Sequence, residues 1–309
     1  MHDGGFFSIF NAFFSHLVWN LSDERCHRTL PDWDVGRLIE RNGSTRFTSF
    51  CYGRPEDGNI WLQWFEPLFG LCPEEMNSRD FLYEHAEVPK YIWNEGQEPL
   101  LAHVNASRLY RWKAFPAWRR QYHSVWRDHV ALCPALAAEI DAFARQNLEG
   151  RYMIAAHVRH PGHAKGQPGL VVAHTQTYIE RIKTELGRRG MDPASTGWGI
   201  FLATDKESVV SQFEEAFGER VCYFRDFRST VPAEEEAYEV LSSENTIRDR
   251  NQLQHIVASN PDTWSSRMAW EVIRDALAMA QCRALLHVVS NISTAVSYIN
   301  PHIELLLMS

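Results

Sequence analysis

The chain of 309 residues is long enough for about two domains, and its 45% hydrophobic and 23% charged residues are those of a globular protein, not a disordered or fibrous one. A formal net charge of −8, from 31 Lys and Arg against 39 Asp and Glu, excludes the basic character of a dedicated nucleic-acid binder but leaves room for a local phosphate pocket. Six cysteines without a C-x-x-C pair exclude a disulfide scaffold and a cysteine zinc site, and fit reduced thiols in the cytoplasm.

Gly4-Gly5 opens the chain ahead of an apolar stretch, Phe6 to Leu21, which is broken by Ser8, Asn11, Ser15, His16 and Asn20. Those polar residues, the lack of a positive leading segment and a length short of the roughly 20 residues of a span argue against a signal peptide or a membrane anchor. A helix from Phe6 to Asn20 after a Gly-rich turn is expected instead. Turn residues and aromatics dominate from Asp32 to Ser107, where irregular α/β structure is expected, and Asp32-Trp33-Asp34 is read as local structure. Further helices are expected at Ala117–His129 and Pro134–Asn147. A boundary near Glu149-Gly150 divides the chain into residues 1–148, an α/β domain, and residues 149–309.

The second half alternates regularly. Tyr152 to Val158 is a short apolar run of the kind that makes a buried strand. A loop rich in Pro and Gly follows from His160 to Leu170. Tyr178, Ile179, Ile182 and Leu186 then recur at helical spacing between Thr175 and Arg188, and Gly190 suits the C-terminal cap. Gly199–Ala203 is a second strand, Thr204-Asp205 the expected start of a helix bearing Val209, Val210, Phe213 and Phe217, and Val221–Phe224 a third strand. Trp270, Ile273, Leu277 and Ala280 mark another helix, Ala284–Val289 a further strand, and Ser290 to Ser293 the opening of a short last helix. Strands alternating with helices predict a parallel sheet covered on both faces.

Ligands of such sheets bind beyond the carboxyl ends of the strands. There the first strand delivers His157, Arg159 and His160, and the last delivers Ser290, Asn291 and Ser293. An arginine before a Gly/Pro loop offers a fixed fork for phosphate, and a serine-rich strand-to-helix turn offers backbone N–H groups at a helix N-terminus. Together they describe a diphosphate pocket. His157, His160 and His163 share no helical face, so the H-x-x-H-x-x-H series does not point to a metal.

Ala155-Ala156-His157-Val158-Arg159, a loop, His174 ahead of a helix, Ile200 to Asp205, Asp275 to Gln281 and Val289 to Ser293 follow one another in an order that resembles the donor-binding half of the NodZ-like and core α-1,6-fucosyltransferases, within the protein O-fucosyltransferase superfamily. The resemblance covers about residues 150–295 and is fainter before them, where Gly4-Gly5 to Asn11 is similar to the family's Gly-rich opening. It implies two Rossmann-like domains of GT-B type with a cleft between them, the second (149–309) binding the nucleotide sugar. It implies a metal-independent, inverting transfer of fucose from GDP-fucose to a glycan, with no cofactor. Carried over to matching positions, Arg159 meets the donor diphosphate, Asp275 the guanine base, and Ser290, Asn291 and Ser293 the phosphate turn. His157, His160, Gly4 and Gly5 line the same donor site.

Two departures bear on the chemistry. The family's strand ends in two arginines, whereas here the second is His160. Its following loop carries an acid, whereas residues 160–173 contain no Asp or Glu. His163, near its ordinary pKa, is the general base expected in its place, with Asp3 and Glu66 of the first half as alternatives. The readings in competition are a GT-B enzyme with another nucleotide sugar, and a non-catalytic binder of nucleotide sugars or glycans. The acceptor is a glycan or glycolipid, with peripheral membrane association if it is lipid-linked. Trp61, Trp64, Phe65, Phe69, Trp93, Tyr110, Trp112, Trp118 and Trp126 crowd the first half; core packing accounts for most, while some would suit stacking on sugar faces.

Overall fold

A computed structural model describes residues 5–22, 30–31, 33, 38–41, 44–47, 52–72, 113–158, 173–226, 228, 230 and 264–308. Its helices are α1 (Phe6–Ser22), α2 (Phe115–His129), α3 (Pro134–Asn147), α4 (Thr175–Arg188), α5 (Glu207–Phe217), α6 (Ser266–Ala280) and α7 (Asn291–Ile299). Its strands are β1 (Leu38–Arg41), β2 (Ser44–Phe47), β3 (Tyr152–His157), β4 (Trp198–Ala203), β5 (Val221–Cys222), β6 (Ala284–His287) and β7 (Glu304–Leu307). β1 and β2 form an antiparallel pair. The other five form one parallel sheet in the order β5-β4-β3-β6-β7.

Successive side chains of a strand point to opposite faces, and a strand covered on both faces is apolar throughout. β3 follows that rule residue by residue. Met153 and Ala155 join the core on one face, and Ile154 and Ala156 the core on the other. The second face is covered by α4, through Tyr178, Ile179, Ile182 and Leu186, and by α5, through Val209, Val210 and Phe213. The first is covered by α6 and α7, and by α1, α2 and α3 from the first half of the chain. Among the described residues, the first half therefore shares one core with the nucleotide-binding half expected beyond residue 148, and its only strand pairing of more than a single bridge is β1 with β2.

α1 presents Phe6, Phe10, Phe14 and Leu17 to that core, the spacing of one helical face. Phe10 stacks nearly parallel on Trp61, with centroids 6.0 Å apart, and Phe14 stacks on Tyr298 at 5.0 Å. Two of the indole N–H groups find partners: Trp61 donates to the Glu66 carbonyl at 3.1 Å and Trp64 to the Ser266 carbonyl at 3.0 Å. Trp61, Trp64, Phe65 and Trp118 are fully buried, so these rings hold the fold together and offer no face to a sugar. Trp93, Tyr110 and Trp112 lie outside the described residues.

Three local expectations are corrected. β5 is two residues long, not four. The helix after β4 begins at Glu207 with Lys206 as its N-cap, because Thr204 Oγ1 accepts from the Lys206 amide at 3.3 Å and a turn intervenes. An additional strand, β7, pairs in parallel beside β6 near the C-terminus. The helix ending at Arg188 does close as expected, with Gly190 at φ +64°, a conformation that suits glycine.

Candidate functional site

From β3 the chain winds outward to β4 and β5, then crosses back to place β6 on the other side of β3. Ligands of open parallel sheets lie at such a reversal, outside the strand carboxyl ends. Here it falls between β3 and β6, where His157 and His287 are register partners. His157 Nδ1 stands 3.5 Å from Ser290 Oγ, so the exit of β3 touches the turn that follows β6.

That turn is a capping box. Ser290 Oγ accepts from the Ser293 amide at 3.1 Å, and Ser293 Oγ accepts from the Ser290 amide at 3.0 Å. Thr294 Oγ1 donates to the Ser290 carbonyl at 2.9 Å. Ser290 and Ser293 are buried within the box, whereas Asn291 is exposed. With the Ser293 and Thr294 amides donating to Ser290, what α7 presents outward is Asn291 and the remaining N–H groups of its first turn, at the positive end of its dipole.

α7 is held at both ends by the first half. At its start, Asn11 Nδ2 donates to the Asn291 carbonyl at 2.9 Å, and the Tyr298 phenol donates back to Asn11 Oδ1 at 2.8 Å. At its end, Arg119 on α2 donates to the carbonyls of Ser297, at 2.7 Å, and of Asn300 and Ile303, each at 3.0 Å. His123 Nδ1 lies 3.1 and 3.0 Å from the carbonyls of Tyr298 and Ile299. His287, fully buried beneath the turn, has a pKa pushed down to about 4 by desolvation, although its contact with the Val288 carbonyl favours the charged form.

The second focus lies beyond β5. Arg228 donates to the carbonyls of Thr204 at 3.2 Å and Phe224 at 2.5 Å, tying the exits of β4 and β5 together. The Arg274 guanidinium, on α6, lies 3.8 Å above the Phe224 ring and donates to Asp226 through one nitrogen and to Glu139 of α3 through another. Trp270 also donates to Glu139, at 2.6 Å. Burial would raise the Glu139 pKa, but the hydrogen bonds from Trp270 and Arg274 outweigh it and hold it below the ordinary value. The adjacent Asp275 retains some exposed surface, yet its carboxyl sits among enough protein atoms that desolvation, then the charge of Asp226, pushes its pKa up to about 8.

The structure thus brings His157 together with Ser290, Asn291 and Ser293, and sets Asp275 beside Asp226, Arg228, Glu271 and Arg274. Gly5 precedes α1, its carbonyl accepting from the Ser8 amide at 2.8 Å. Glu66 is exposed in a segment whose backbone pairs with Ala131. Arg159, His160, His163, Asp3 and Gly4 lie outside the described residues. Sequence reasoning missed Asn11, Asp226 and Arg274; of these, Asn11 alone carried a local signal, as a polar residue among the apolar positions of α1. A cavity of about 410 Å³, lined among others by His123, Asp141, Gln281 and His302, opens ahead of β6 and β7, at the opposite edge of the sheet from this chemistry. Among the described residues, no group of three or more His, Cys, Asp or Glu is placed to hold a metal ion, and no helix is long and apolar enough to cross a membrane.

No protein-family model and no curated protein matches the chain. Solved structures do. NodZ α-1,6-fucosyltransferase co-crystallised with GDP is similar over 94% of this chain and 88% of that one, with a TM-score of 0.51 and 15% identity. NodZ soaked with GDP-fucose matches 60% of this chain at a TM-score of 0.36 and 13% identity, and POFUT1 in complex with GDP-fucose matches 64% at 0.36 and 10%. In those two matches the chain spans 47% and 50% of the other protein's length. The first likeness bears on the fold, a mixed α/β structure with a parallel sheet shared with a fucosyltransferase.

Proposed function

We propose that the chain is an inverting glycosyltransferase that transfers a sugar, fucose from GDP-fucose, to a glycan or glycolipid acceptor. The observation that carries this reading is the meeting of His157 with the Ser290–Ser293 turn at the sheet reversal, in a fold like that of NodZ crystallised with GDP. In this reading residues 149–309 hold the donor, and residues 1–148 form the acceptor side of a GT-B arrangement.

The chemistry follows from charge. As the glycosidic bond to the diphosphate breaks, negative charge grows on the departing GDP. The N–H groups at the start of α7 and the guanidinium of Arg159, two residues beyond β3, neutralise it without a metal. The acceptor hydroxyl attacks the opposite face of the anomeric carbon and inverts it, while His163 takes the hydroxyl proton, Asp3 or Glu66 being the alternative bases. Asp275 as a carboxylate accepts from the two N–H donors on the guanine edge. Ser290 and Ser293 shape the phosphate turn, and Asn291, His157, His160, Gly4 and Gly5 border the donor.

A thermal-shift panel tests the donor: GDP raises the melting temperature, with about 2.7 kcal/mol of stabilisation at a hundredfold excess over Kd, and a preference for UDP, CMP or dTDP redirects the assignment. Arg159→Ala lowers turnover more than tenfold; transfer at the wild-type rate overturns the mechanism, as does an absolute requirement for a divalent metal. The loop without Asp or Glu favours one rival, a nucleotide-sugar binder without catalysis, which predicts GDP binding with neither transfer nor donor hydrolysis.

A further inference from the structure

The cavity of about 410 Å³ at the far edge of the sheet has the size of a small-molecule site. α2 and α3 supply one wall, and the segments that close α6 and α7 supply the other. Ile140 and Leu277 are buried and form an apolar floor, whereas Asp141, Gln281 and His302 are exposed at the rim. The polar equipment is one-sided. His123 Nδ1 faces the carbonyls of Tyr298 and Ile299 at 3.1 and 3.0 Å. Two acceptors keep the hydrogen on that nitrogen, which leaves Nε2 of the neutral ring as an acceptor. Asp141 has no ion-pair partner among the described residues. Asn300 has committed its amide, donating to the Ala280 carbonyl at 2.7 Å and accepting from the His302 amide at 2.9 Å. Among the described residues no Lys or Arg lines the cavity, and the guanidinium of Arg119 is taken up by the carbonyls of Ser297, Asn300 and Ile303. Nor does any Trp, Tyr or Phe among them line it, so the flat faces on which sugars and bases stack are missing there.

We propose that this cavity binds an organic cation, a protonated primary amine on a compact aliphatic body. The body enters the floor formed by Ile140 and Leu277, where apolar surface leaves water on both sides of the contact. The ammonium has three donors and no acceptor, so it matches a rim that offers acceptors: it donates to the Asp141 carboxylate, and His123 Nε2 offers a further one. Anions meet the charge of Asp141 with no cation to receive them and are rejected, which excludes a nucleotide diphosphate from this cavity. The site stands apart from the sheet reversal, and the proposal does not rest on the reading of the donor pocket.

Probes that share one hydrocarbon body and differ in charge test this by calorimetry on the full chain: cyclohexylmethylamine, cyclohexylmethanol and cyclohexanecarboxylate. The amine binds more tightly than the alcohol by roughly three- to tenfold, the contribution of a charge-assisted hydrogen bond partly screened by solvent, and the carboxylate binds most weakly. Asp141→Asn, at an exposed position, cancels the advantage of the amine and leaves the affinity for the alcohol unchanged. Ala137→Leu narrows the cavity and weakens amine and alcohol together, and Ala137→Met does the same should the Leu variant fold poorly. GDP leaves the amine affinity unchanged, because the two sites lie at opposite edges of the sheet. Equal affinity for amine and alcohol, an amine preference that survives Asp141→Asn, or no amine binding at millimolar concentration overturns the proposal. So does competition between the amine and GDP, which would place the amine in the donor pocket. A failure of GDP to bind counts against the proposed function alone.

Discussion

Asn11 and Tyr298, 287 positions apart, are joined by a buried hydrogen bond of 2.8 Å from the phenol to the amide oxygen. The same amide donates to the backbone of Asn291, the first residue of α7. One side chain near the N-terminus thus spans a single face of the helix whose start forms the candidate phosphate turn, from its first residue to its last turn.

Asn11→Ala therefore leaves the buried Tyr298 hydroxyl without its acceptor and removes the side-chain bond to the Asn291 carbonyl. The expected cost is about 2–4 kcal/mol, measured by urea denaturation. Tyr298→Phe removes a single bond and costs less, about 1–2 kcal/mol. The GDP-induced thermal shift should weaken in the Asn11 variant more than in a destabilised variant remote from α7, such as one on α5.

Trp61, fully buried and stacked on Phe10, is a structural ring. Trp61→Ala is expected to cost about 3–5 kcal/mol and to alter acceptor affinity only as far as it unfolds the chain. Glycan binding measured at a temperature where the variant stays folded checks this, and a selective loss of acceptor binding would restore the sugar-stacking reading.

Two buried groups set opposing pH slopes. Asp275 titrates near 8 in the folded chain and near 3.8 when unfolded. Between those values the native state holds a proton that the unfolded chain has released, so stability falls as pH rises through the window and is level above it. The slope is at most about 1.4 kcal/mol per pH unit. In Asp275→Asn this decline disappears, and denaturation at pH 6.5 and 8.5 gives equal stabilities from this source.

His287 does the reverse. Its folded pKa near 4 lies below the ordinary 6.5, so its contribution is complete above pH 6.5 and is lost as pH falls toward 4. The two slopes largely cancel between those values in the wild type. His287→Gln removes one of them, and its stability should fall steadily from pH 4.5 to 8. Denaturation midpoints across that range decide it; a profile matching wild type would mean that His287 is not held neutral.

The central strands β3, β4 and β6 were legible because both of their faces are buried, which writes a continuous apolar run into the sequence. β7 was not, since it lies at the sheet edge, where Glu304 and Leu307 are exposed and the run is mixed. Ser290 and Ser293 could be read three apart after a strand, because a capping box is a local device. The triad of Glu139, Asp226 and Arg274 could not: its members stand 135 and 48 positions from the arginine, and no spacing rule connects them. The resemblance pointed to Asp275 but carried no hint of the charge beside it.

The anchoring of α7 has a kinematic consequence. Asn11 grips its beginning, while Arg119 and His123 grip its end, so the helix is strutted at both tips by α1 and α2. Those helices, α7 and the sheet beneath them must travel as one block. Under the proposed function, any opening and closing around a bound donor would pivot elsewhere in the chain, with the candidate phosphate turn as its stationary jaw.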